Sequence, residues 1–294
     1  MDIGIIGIGL MGRAFVERFL SQGYTVRIFN RTQDNIKDLV DNGVVVCVSA
    51  DELISASNTI ILMVSNAEAI NHILQLNNQT NKPADLHGKT ILQMATISPT
   101  QSKAIGEAVT ALGGRYLEAP VLGSIPEAQT GTLIIMAAGA KDVFEKTLPT
   151  LQVLGSAPRY IGDTGSAAAL KLAMNQLIAS LTAGFSLSLG YAIENGVDTD
   201  LFMETVRESA LYAKTYDKKL QKYLDRDFAA ANFTTQHLLK DIRLFIEDAK
   251  VAGLNTDALE GIERITSKTV EDGMDVMDYS SIYQVICPDG KSEK

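Results

Sequence analysis

The chain contains few of the residues that build disulfide scaffolds or metal sites. Its 294 residues include two cysteines, three histidines and no tryptophan. Cys47 and Cys287 lie far apart, and the histidines are scattered, so neither a disulfide framework nor a zinc-ligand spacing is present. We expect both thiols to be reduced and buried, as is usual in the cytoplasm, and we expect no bound metal.

Positive charge is also scarce. Lysine and arginine total 26 against 35 aspartate and glutamate residues, which gives a net charge of −9. An acidic surface without a lysine- and arginine-rich run repels phosphate backbones, so we expect no nucleic-acid partner. The chain opens Met1-Asp2 without the basic segment of a secretory signal, which again favours a cytoplasmic location.

One uncharged segment has the length of a membrane span. Leu172–Ile193 carries no formal charge over 22 residues, which is enough to cross a bilayer. The segment is rich in serine, threonine, glycine and amide side chains, however. A helix that is neutral on all sides is also typical of a core helix between two packed bodies. We favour the second interpretation and expect no membrane partner.

Short apolar runs alternate with helical patterns over the first half of the chain. Parallel strands need crossover helices, so this order predicts a parallel sheet with helices on both faces. After about Gly162 the strand-like runs stop, and helices follow one another, beginning with a long helix at Ser166–Glu194. The expected strands are Asp2–Ile6, Tyr24–Phe29, Val44–Val48, Thr59–Val64, Thr90–Met94, Arg115–Glu118 and Leu133–Ala138. The expected helices before residue 162 are Leu10–Ser21, Thr32–Asn42, Ala67–Leu76, Ser98–Leu112 and Asp142–Leu154.

A glycine-rich turn joins the first predicted strand to the first predicted helix. Gly7–Gly12 matches G-x-G-x-x-G, in which the glycines allow a tight turn, close approach to a pyrophosphate, and close packing of helix on sheet. The free N–H groups of the helix N-terminus favour phosphate binding; the alternative is a tight turn without a ligand. The cofactor-binding residues predicted from this motif are Gly7, Gly9, Leu10, Met11 and Gly12.

These patterns together predict the architecture. We expect an α/β protein whose N-terminal domain, residues 1–163, is a Rossmann-type doubly wound parallel sheet that binds the dinucleotide. An all-α C-terminal domain, residues 164–294, is expected to contribute to substrate binding and oligomerisation. The long helix that starts at Ser166 is expected to join the two domains.

The end of the second strand bears on the choice of cofactor. In NAD-binding proteins an acidic residue at this position binds the ribose 2′-hydroxyl. Here the strand is followed by Asn30, Arg31 and Thr32, with no carboxylate. A guanidinium binds a 2′-phosphate in a forked geometry, so we predict NADP as the cofactor; the alternative for Arg31 is a solvated surface charge.

One lysine begins the uncharged helix. Lys171 is the last charge before that segment, and Asn175 lies one turn further, on the same face. An ammonium group beside a nicotinamide can protonate a developing alkoxide, and the amide can hold the same oxygen. The alternative is that Lys171 is a surface residue without a role.

Four motifs follow one another along the chain: Gly7–Gly12, Glu118–Ser124, Gly165 through Lys171 to Asn175, and Lys240-Asp241. Together they resemble the β-hydroxyacid dehydrogenase family, which includes 3-hydroxyisobutyrate dehydrogenase, tartronate semialdehyde reductase and glyoxylate/succinic semialdehyde reductases. The resemblance covers nearly the whole chain.

The resemblance implies a role for each matching residue. Lys171 is implied to be the catalytic acid and base, with Asn175 beside it. The loop Pro120–Ser124, with Leu122, Gly123 and Ser124, is implied to bind the substrate carboxylate. Phe233 and Asp241 are implied to lie near the substrate; the alternatives are a core aromatic and a solvated charge. The further cofactor contacts that it implies are Val64, Ser65, Asn66, Thr96 and Lys240.

The chain departs from the family pattern in the substrate loop. Leu122 stands where the family usually has serine, and Ser124 where a second glycine is common. The change removes a hydroxyl that would contact a carboxylate and makes the pocket more apolar, which bears on the substrate and leaves the hydride chemistry unaffected.

We therefore expect a reversible NADPH-dependent reductase of small carbonyl acids, such as succinic semialdehyde or glyoxylate, that forms a homodimer or homotetramer. An imine reductase and a non-catalytic dinucleotide-binding scaffold are the alternatives.

Overall fold

A computed structural model describes residues 2–76 and 84–288. The chain forms two compact units, Met1–Lys171 and Leu172–Lys294, and one long helix runs through the boundary between them. This division lies eight residues after the predicted boundary at residue 163, which stays a prediction.

The first unit is built on one sheet. Six strands run parallel in the order β3-β2-β1-β4-β5-β6, β8 is antiparallel to β6, β7 is antiparallel to β8, and β9 is parallel to β8. The strands of the described chain are β1 (Asp2–Ile6), β2 (Thr25–Phe29), β3 (Val45–Val46), β4 (Thr59–Leu62), β5 (Thr90–Gln93), β6 (Arg115–Glu118), β7 (Val121–Leu122), β8 (Ile134–Gly139) and β9 (Arg159–Gly162).

Helices cover both faces of the sheet because successive strand residues point in opposite directions. Ile61 belongs to the apolar cluster that contains Phe15 of α1, whereas its neighbours Ile60 and Leu62 belong to the cluster on the other face. The helices of the first unit are α1 (Leu10–Ser21), α2 (Ala50–Ala56), α3 (Ala67–Ile73), α4 (Pro99–Ala111), α5 (Ile125–Thr130) and α6 (Lys141–Leu154). The α/β sheet expected from the sequence is thereby confirmed.

One predicted helix is not an α-helix. The helix expected at Thr32–Asn42 is a 3₁₀ helix, Gln33–Asn42, which ends at Gly43 with a positive φ of 86°. The segment is rich in aspartate and asparagine, residue types whose side chains compete for backbone hydrogen bonds and disfavour the α-helix.

The second unit is helical. It begins within α7 (Ser166–Glu194), whose bounds match the prediction. The helix Asp257–Thr269 continues as a π-helical turn, Val270–Met274, in which Gly273 has a positive φ of 83°. The remaining elements are α8 (Thr199–Glu208), α9 (Lys214–Asp225), α10 (Thr235–Val251), α11 (Asp257–Thr269), a 3₁₀ turn (Tyr279–Ser281) and α12 (Ile282–Ile286).

The long helix is apolar enough to cross a membrane by length and composition, a test that the core helix of a water-soluble protein also passes. Its faces differ. Leu172, Ala179 and Leu189 are buried, whereas Leu177 and Tyr191 are exposed. One stripe of α7, which includes Leu172, Ala179 and Leu189, is therefore buried. A second stripe, which includes Leu177 and Tyr191, is exposed.

Candidate active site

The predicted cofactor-binding residues lie at one edge of the sheet. The glycine turn follows β1, Asn30 follows β2, Ser65 lies three residues after β4, and Thr96 lies three residues after β5. These four strands are neighbours in the parallel order β2-β1-β4-β5, so their carboxyl ends meet at the same edge. The strand order reverses at β1 and β4, which is where doubly wound sheets bind ligands.

Two of the three motif glycines are required by the backbone geometry of the turn, whether or not a ligand is bound. Gly7 has a positive φ of 96°, and a Cβ there would collide with the carbonyl oxygen of Met63. A Cβ on Gly12 would collide with the carbonyl oxygen of Gly7. Only glycine therefore allows the turn and the close packing of α1 on the sheet.

The third motif glycine is different. No atom of the described chain lies within 4 Å of a Cβ built on Gly9, and its φ of −85° is open to any residue. Gly9 precedes α1, and no side chain of the described residues caps the first turn of that helix. Leu10 is exposed and Met11 is half-buried there. Open space above uncapped N–H groups fits a pyrophosphate at this turn.

Asn30 connects the tip of β2 to the glycine turn. Its Oδ1 accepts a hydrogen bond from the backbone N–H of Ile8 at 3.0 Å, and its Nδ2 donates to the carbonyl oxygen of Thr32 at 2.8 Å. Arg31 and Thr32 are exposed beside it. The asparagine therefore shapes the turn, and the guanidinium and the hydroxyl face solvent at the tip of the strand.

The loop after β4 lines the same edge. Val64 is half-buried, and its Cγ1 lies 2.8 Å from a Cβ built on Gly7. Ser65 is exposed, and Asn66 caps α3 by accepting the N–H of Ala69 at 2.9 Å. After β5, Thr96 is half-buried and precedes the capping box that starts α4.

The predicted substrate loop is structured by its own residues. Gly123 has a positive φ of 125°, and a Cβ there would lie 2.6 Å from Cδ2 of Leu133. Leu122 packs on the apolar cluster that contains Met136 and Ala167.

The donors of Ser124 are engaged by a nearby carboxylate. The backbone N–H and the hydroxyl of Ser124 both donate to Oε2 of Glu127, at 2.8 Å each. Glu127 belongs to the first turn of α5 and forms a capping box with Ser124. An anion therefore lies at the loop that the resemblance assigns to a substrate carboxylate.

Lys171 and Asn175 lie one turn apart on α7. Lys171 is half-buried, and Asn175 is buried. In the second unit, Nδ2 of Asn175 donates to Oδ2 of the buried Asp241 at 2.6 Å, and Oδ1 of Asp241 lies 3.0 Å from Nζ of Lys240. The Oδ1 atom of Asn175 is buried without a hydrogen-bond partner in the described chain. The Asp241 carboxylate thus fixes the orientation of the Asn175 amide and leaves the amide oxygen available to accept a hydrogen bond.

Phe233 lies two residues before the start of α10. It is half-buried against the apolar cluster of Ala179 and Leu238, and its ring centre is 5.7 Å from that of Tyr279 and 6.2 Å from that of His237. The structure groups Asn175, Lys240 and Asp241 by direct contacts and gives Phe233 aromatic neighbours.

Sequence reasoning assigned no role to three titratable residues beside the predicted positions. His237 lies one turn from Lys240; desolvation by its neighbours lowers its pKa, the Lys240 cation lowers it further, and Asp241 opposes both. The contact of Glu127 could have been recognised, because Ser124-x-x-Glu127 is a capping-box pattern. Glu118 belongs to the motif Glu118–Ser124, but no local signal indicated its partners, which lie far along the chain.

The cysteines and acidic residues form no metal site in the part of the chain that the structure describes. Both thiols are free, and burial raises the pKa of each. Cys47 is buried as expected, whereas Cys287 is only half-buried, because it lies at the end of α12.

Two family models match consecutive parts of the chain. Residues 2–162 match the NAD-binding domain of 6-phosphogluconate dehydrogenase, and residues 165–286 match the NAD-binding domain of NADP-dependent 3-hydroxyisobutyrate dehydrogenase. The first match alone covers more than half of the 294 residues.

Individual proteins agree with these models. Glyoxylate/succinic semialdehyde reductase 1 of Arabidopsis thaliana is 29% identical over 287 residues, which cover 97% of this chain and 98% of that protein. The solved 3-hydroxyisobutyrate dehydrogenase of Salmonella typhimurium is 22% identical, has a TM-score of 0.85, and covers 97% of this chain and 99% of its own. An imine reductase from Myxococcus stipitatus shares the fold less closely, with a TM-score of 0.66 at 18% identity over 97% of this chain and 99% of that one. The chain therefore belongs to the β-hydroxyacid dehydrogenase family and is an oxidoreductase that uses a nicotinamide dinucleotide.

Proposed function

We propose that the protein reduces small carbonyl acids with NADPH, reversibly, and that Lys171 is the general acid of the reduction. The observation that carries the proposal is the buried Asn175, which Asp241 holds at 2.6 Å so that the amide oxygen is left to accept a hydrogen bond one turn from the lysine. This pairing of an ammonium with an oriented acceptor is suited to proton transfer at a carbonyl oxygen.

Gly7–Gly12 and the N–H groups of α1 would hold the phosphates of a nicotinamide dinucleotide, which would supply the hydride for a carbonyl carbon. Lys171 donates a proton from Nζ to the carbonyl oxygen as negative charge develops there, and the Oδ1 atom of Asn175 accepts a second N–H of the same ammonium. In the reverse direction the amine of Lys171 removes the proton from the hydroxyl.

The test is substitution of the lysine. Lys171→Ala is expected to lower kcat by at least ~10²-fold, the lower bound for loss of an acid catalyst, while NADPH binding measured by fluorescence titration is unchanged. Lys103→Ala, which changes a lysine of α4, is the matched control. A near-wild-type kcat in Lys171→Ala would remove the lysine from the mechanism.

NADP preference is proposed from the tip of β2. Arg31 and Thr32 are exposed where a 2′-phosphate would lie, and none of the three residues directly after the strand, Asn30, Arg31 and Thr32, is acidic. Steady-state kinetics are expected to give a higher kcat/KM with NADPH than with NADH, and Arg31→Ala is expected to reduce the ratio. An equal or higher kcat/KM with NADH in the wild type would refute this preference.

The substrate class is proposed from the family and from a named relative. The Arabidopsis protein that is similar over nearly its whole length is named for glyoxylate and succinic semialdehyde. A screen of NADPH oxidation with glyoxylate and with succinic, tartronate and methylmalonate semialdehydes tests the proposal.

A second candidate function is imine reduction, which two features of the substrate loop support. Leu122 is apolar, and Glu127 occupies both donors of Ser124, which suits a substrate end that is uncharged or cationic. Turnover of a cyclic imine with no turnover of carbonyl acids would favour this reading. Tight NADPH binding without turnover of any substrate would indicate a non-catalytic scaffold.

Self-association is proposed through the exposed stripe of α7. Leu177 and Tyr191 lie seven residues on either side of the exposed Gly184, and Leu181 and Leu187 lie three residues on either side. This stripe can pair with a second copy about a two-fold axis at Gly184, as an isologous contact requires. Leu181→Arg is expected to yield monomers in sedimentation, whereas the control Val251→Arg is not; an unchanged oligomer, or a monomeric wild type, would contradict the contact.

The acidic chain lacks a basic run, which supports a protein whose partners are a small-molecule substrate and its own copies, without nucleic acid.

A further inference from the structure

A buried carboxylate holds the first turn of α7. Glu118, the last residue of β6, is 1% exposed. Its Oε1 accepts hydrogen bonds from the backbone N–H groups of Gly165, Ala167 and Ala168 at 2.8, 2.8 and 3.2 Å. These N–H groups belong to the start of a helix and lack partners within it, so one carboxylate oxygen serves as the N-terminal cap.

The other carboxylate oxygen is anchored from the opposite side. Ser102 of α4 donates its hydroxyl to Oε2 of Glu118, and the same hydroxyl lies 2.8 Å from the hydroxyl of Tyr116. Ser102 and Tyr116 are both buried, and burial raises the pKa of Tyr116. A chain of buried hydrogen bonds therefore links α4, β6 and the beginning of α7.

The capped turn lies directly before Lys171. Ala167 and Ala168 are four and three residues before the lysine. A long side chain on a helix extends back over the residues three and four positions earlier, so the Lys171 side chain extends over the turn that Glu118 holds. Glu118 also lies two residues before Pro120, where the predicted substrate loop begins.

Apolar packing of Ala167 against Met136 and Ala138 also restrains the first turn, but few other hydrogen bonds do. Gly165 has a positive φ of 102°, and the N–H of Ser166 donates to the carbonyl oxygen of Asp163 at 3.0 Å. Three backbone N–H groups at the start of α7 thus donate to one carboxylate oxygen of Glu118. Loss of this carboxylate would allow the turn to shift.

We infer that Glu118 is a positioning residue for Lys171: by capping α7 it sets the place of the ammonium relative to the reacting oxygen, an inference that rests on the proposed acid role of the lysine. Misplacement of a reacting group by about 1 Å is enough to slow catalysis by ~10²-fold. Glu118 touches neither substrate nor cofactor in this scheme and acts only through the helix.

A double-mutant cycle tests the inference. Glu118→Leu is expected to lower kcat at least ~10-fold with NADPH affinity within about twofold of wild type, because the glycine turn is not altered. Glu118→Gln keeps an acceptor oxygen for the helix and is expected to retain most of kcat. In a Lys171→Ala background, Glu118→Leu is expected to change kcat less than about twofold, because the group that it positions is gone.

The matched control is Glu52→Gln, which removes a carboxylate that accepts the N–H of Val48 at the start of α2, and it is expected to leave kcat unchanged. Equal losses from Glu118→Leu in both backgrounds, or no loss in the wild type, would overturn the inference. If Glu118→Leu does not fold, Ser102→Ala enters the same cycle with the same criteria.

Hydrogen exchange separates this inference from the proposed function. The amides of Gly165, Ala167 and Ala168 are expected to exchange more than ~10-fold faster in Glu118→Leu than in the wild type. If exchange accelerates but Lys171→Ala keeps its kcat, the acid role fails and the positioning inference fails with it, while the cap itself stands. If Lys171→Ala is slow but the Glu118 effect is absent or additive, only the positioning inference fails.

Discussion

Replacement of Glu127 by glutamine is expected to raise kcat/KM for aldehydes that carry a carboxylate. In the wild type, Oε2 of Glu127 lies 2.8 Å from both donors of Ser124. A substrate carboxylate that accepted the same N–H would bring two anions to about 5 Å from each other. Glutamine at this position retains the capping box, so the substitution removes the charge and keeps the local structure of α5.

The size of the effect follows from Coulomb's law. Two unit charges about 5 Å apart repel by about 3 kcal/mol at an effective dielectric constant of 20 and by about 1 kcal/mol in water. Because Ser124 and Glu127 are half-buried, the lower half of this range applies. We expect an increase of roughly tenfold, since 1.4 kcal/mol corresponds to a factor of ten.

The assay is the ratio of kcat/KM for succinic semialdehyde to that for butanal, measured at saturating NADPH. The ratio removes any general effect on folding or on hydride transfer, because both aldehydes have four carbons and differ in the carboxylate. Glu145→Gln, an exposed glutamate on α6, makes the same change in net charge and is expected to leave the ratio unaltered. An unchanged ratio in Glu127→Gln would show that the loop does not receive the carboxylate.

Three further predictions concern groups whose partners the structure identifies. Asn30→Ala removes the bond to the glycine turn, which costs about 1–2 kcal/mol, and is expected to weaken NADPH binding about fivefold or more in a fluorescence titration. In the wild type the half-buried ammonium of Lys219 lies 2.7 Å from the buried carboxylate of Asp278. Asp278→Ala removes this counter-charge, and urea unfolding is expected to show a loss of about 3 kcal/mol. The pKa of His237 is lowered on folding, so its share of stability is lost as the pH falls through the unfolded-state value. An NMR titration of the imidazole is expected to show a midpoint below that of an unfolded peptide, and a higher midpoint in Lys240→Met.

The elements that sequence predicted well are those whose residues are buried on both faces. Parallel strands covered by helices on either side appear as continuous apolar runs, and Ile3–Ile6 and Ile60–Leu62 are almost fully buried. The strands that were missed are short or lie at the far edge: β7 has two residues, and β9 begins with the exposed Arg159. Such segments form because their neighbours offer hydrogen bonds, and no local pattern marks them.

The candidate site also has one part that the sequence could predict and one part that it could not. The glycine turn could be predicted because its geometry is local: Gly7 and Gly12 are required by atoms within one strand–turn–helix unit and the adjoining strand. The cap on α7 could not, because Glu118 bonds to backbone groups 47–50 residues away. A glutamate at the end of a predicted strand is usually exposed, and only the fold brings this one to a helix N-terminus.

The two glutamates that flank the substrate loop explain why the fold alone does not determine the substrate. Glu118 bonds to backbone N–H groups that no ligand needs, so its carboxylate stabilises the site without competing for substrate. Glu127 bonds to the N–H and hydroxyl of Ser124, which are donors suited to a substrate anion. A tethered carboxylate competes at an effective concentration near the millimolar range or above, so a free carboxylate must bind elsewhere in the loop or displace it. We therefore expect substrate choice in this chain to depend on which donors its own acidic side chains leave available.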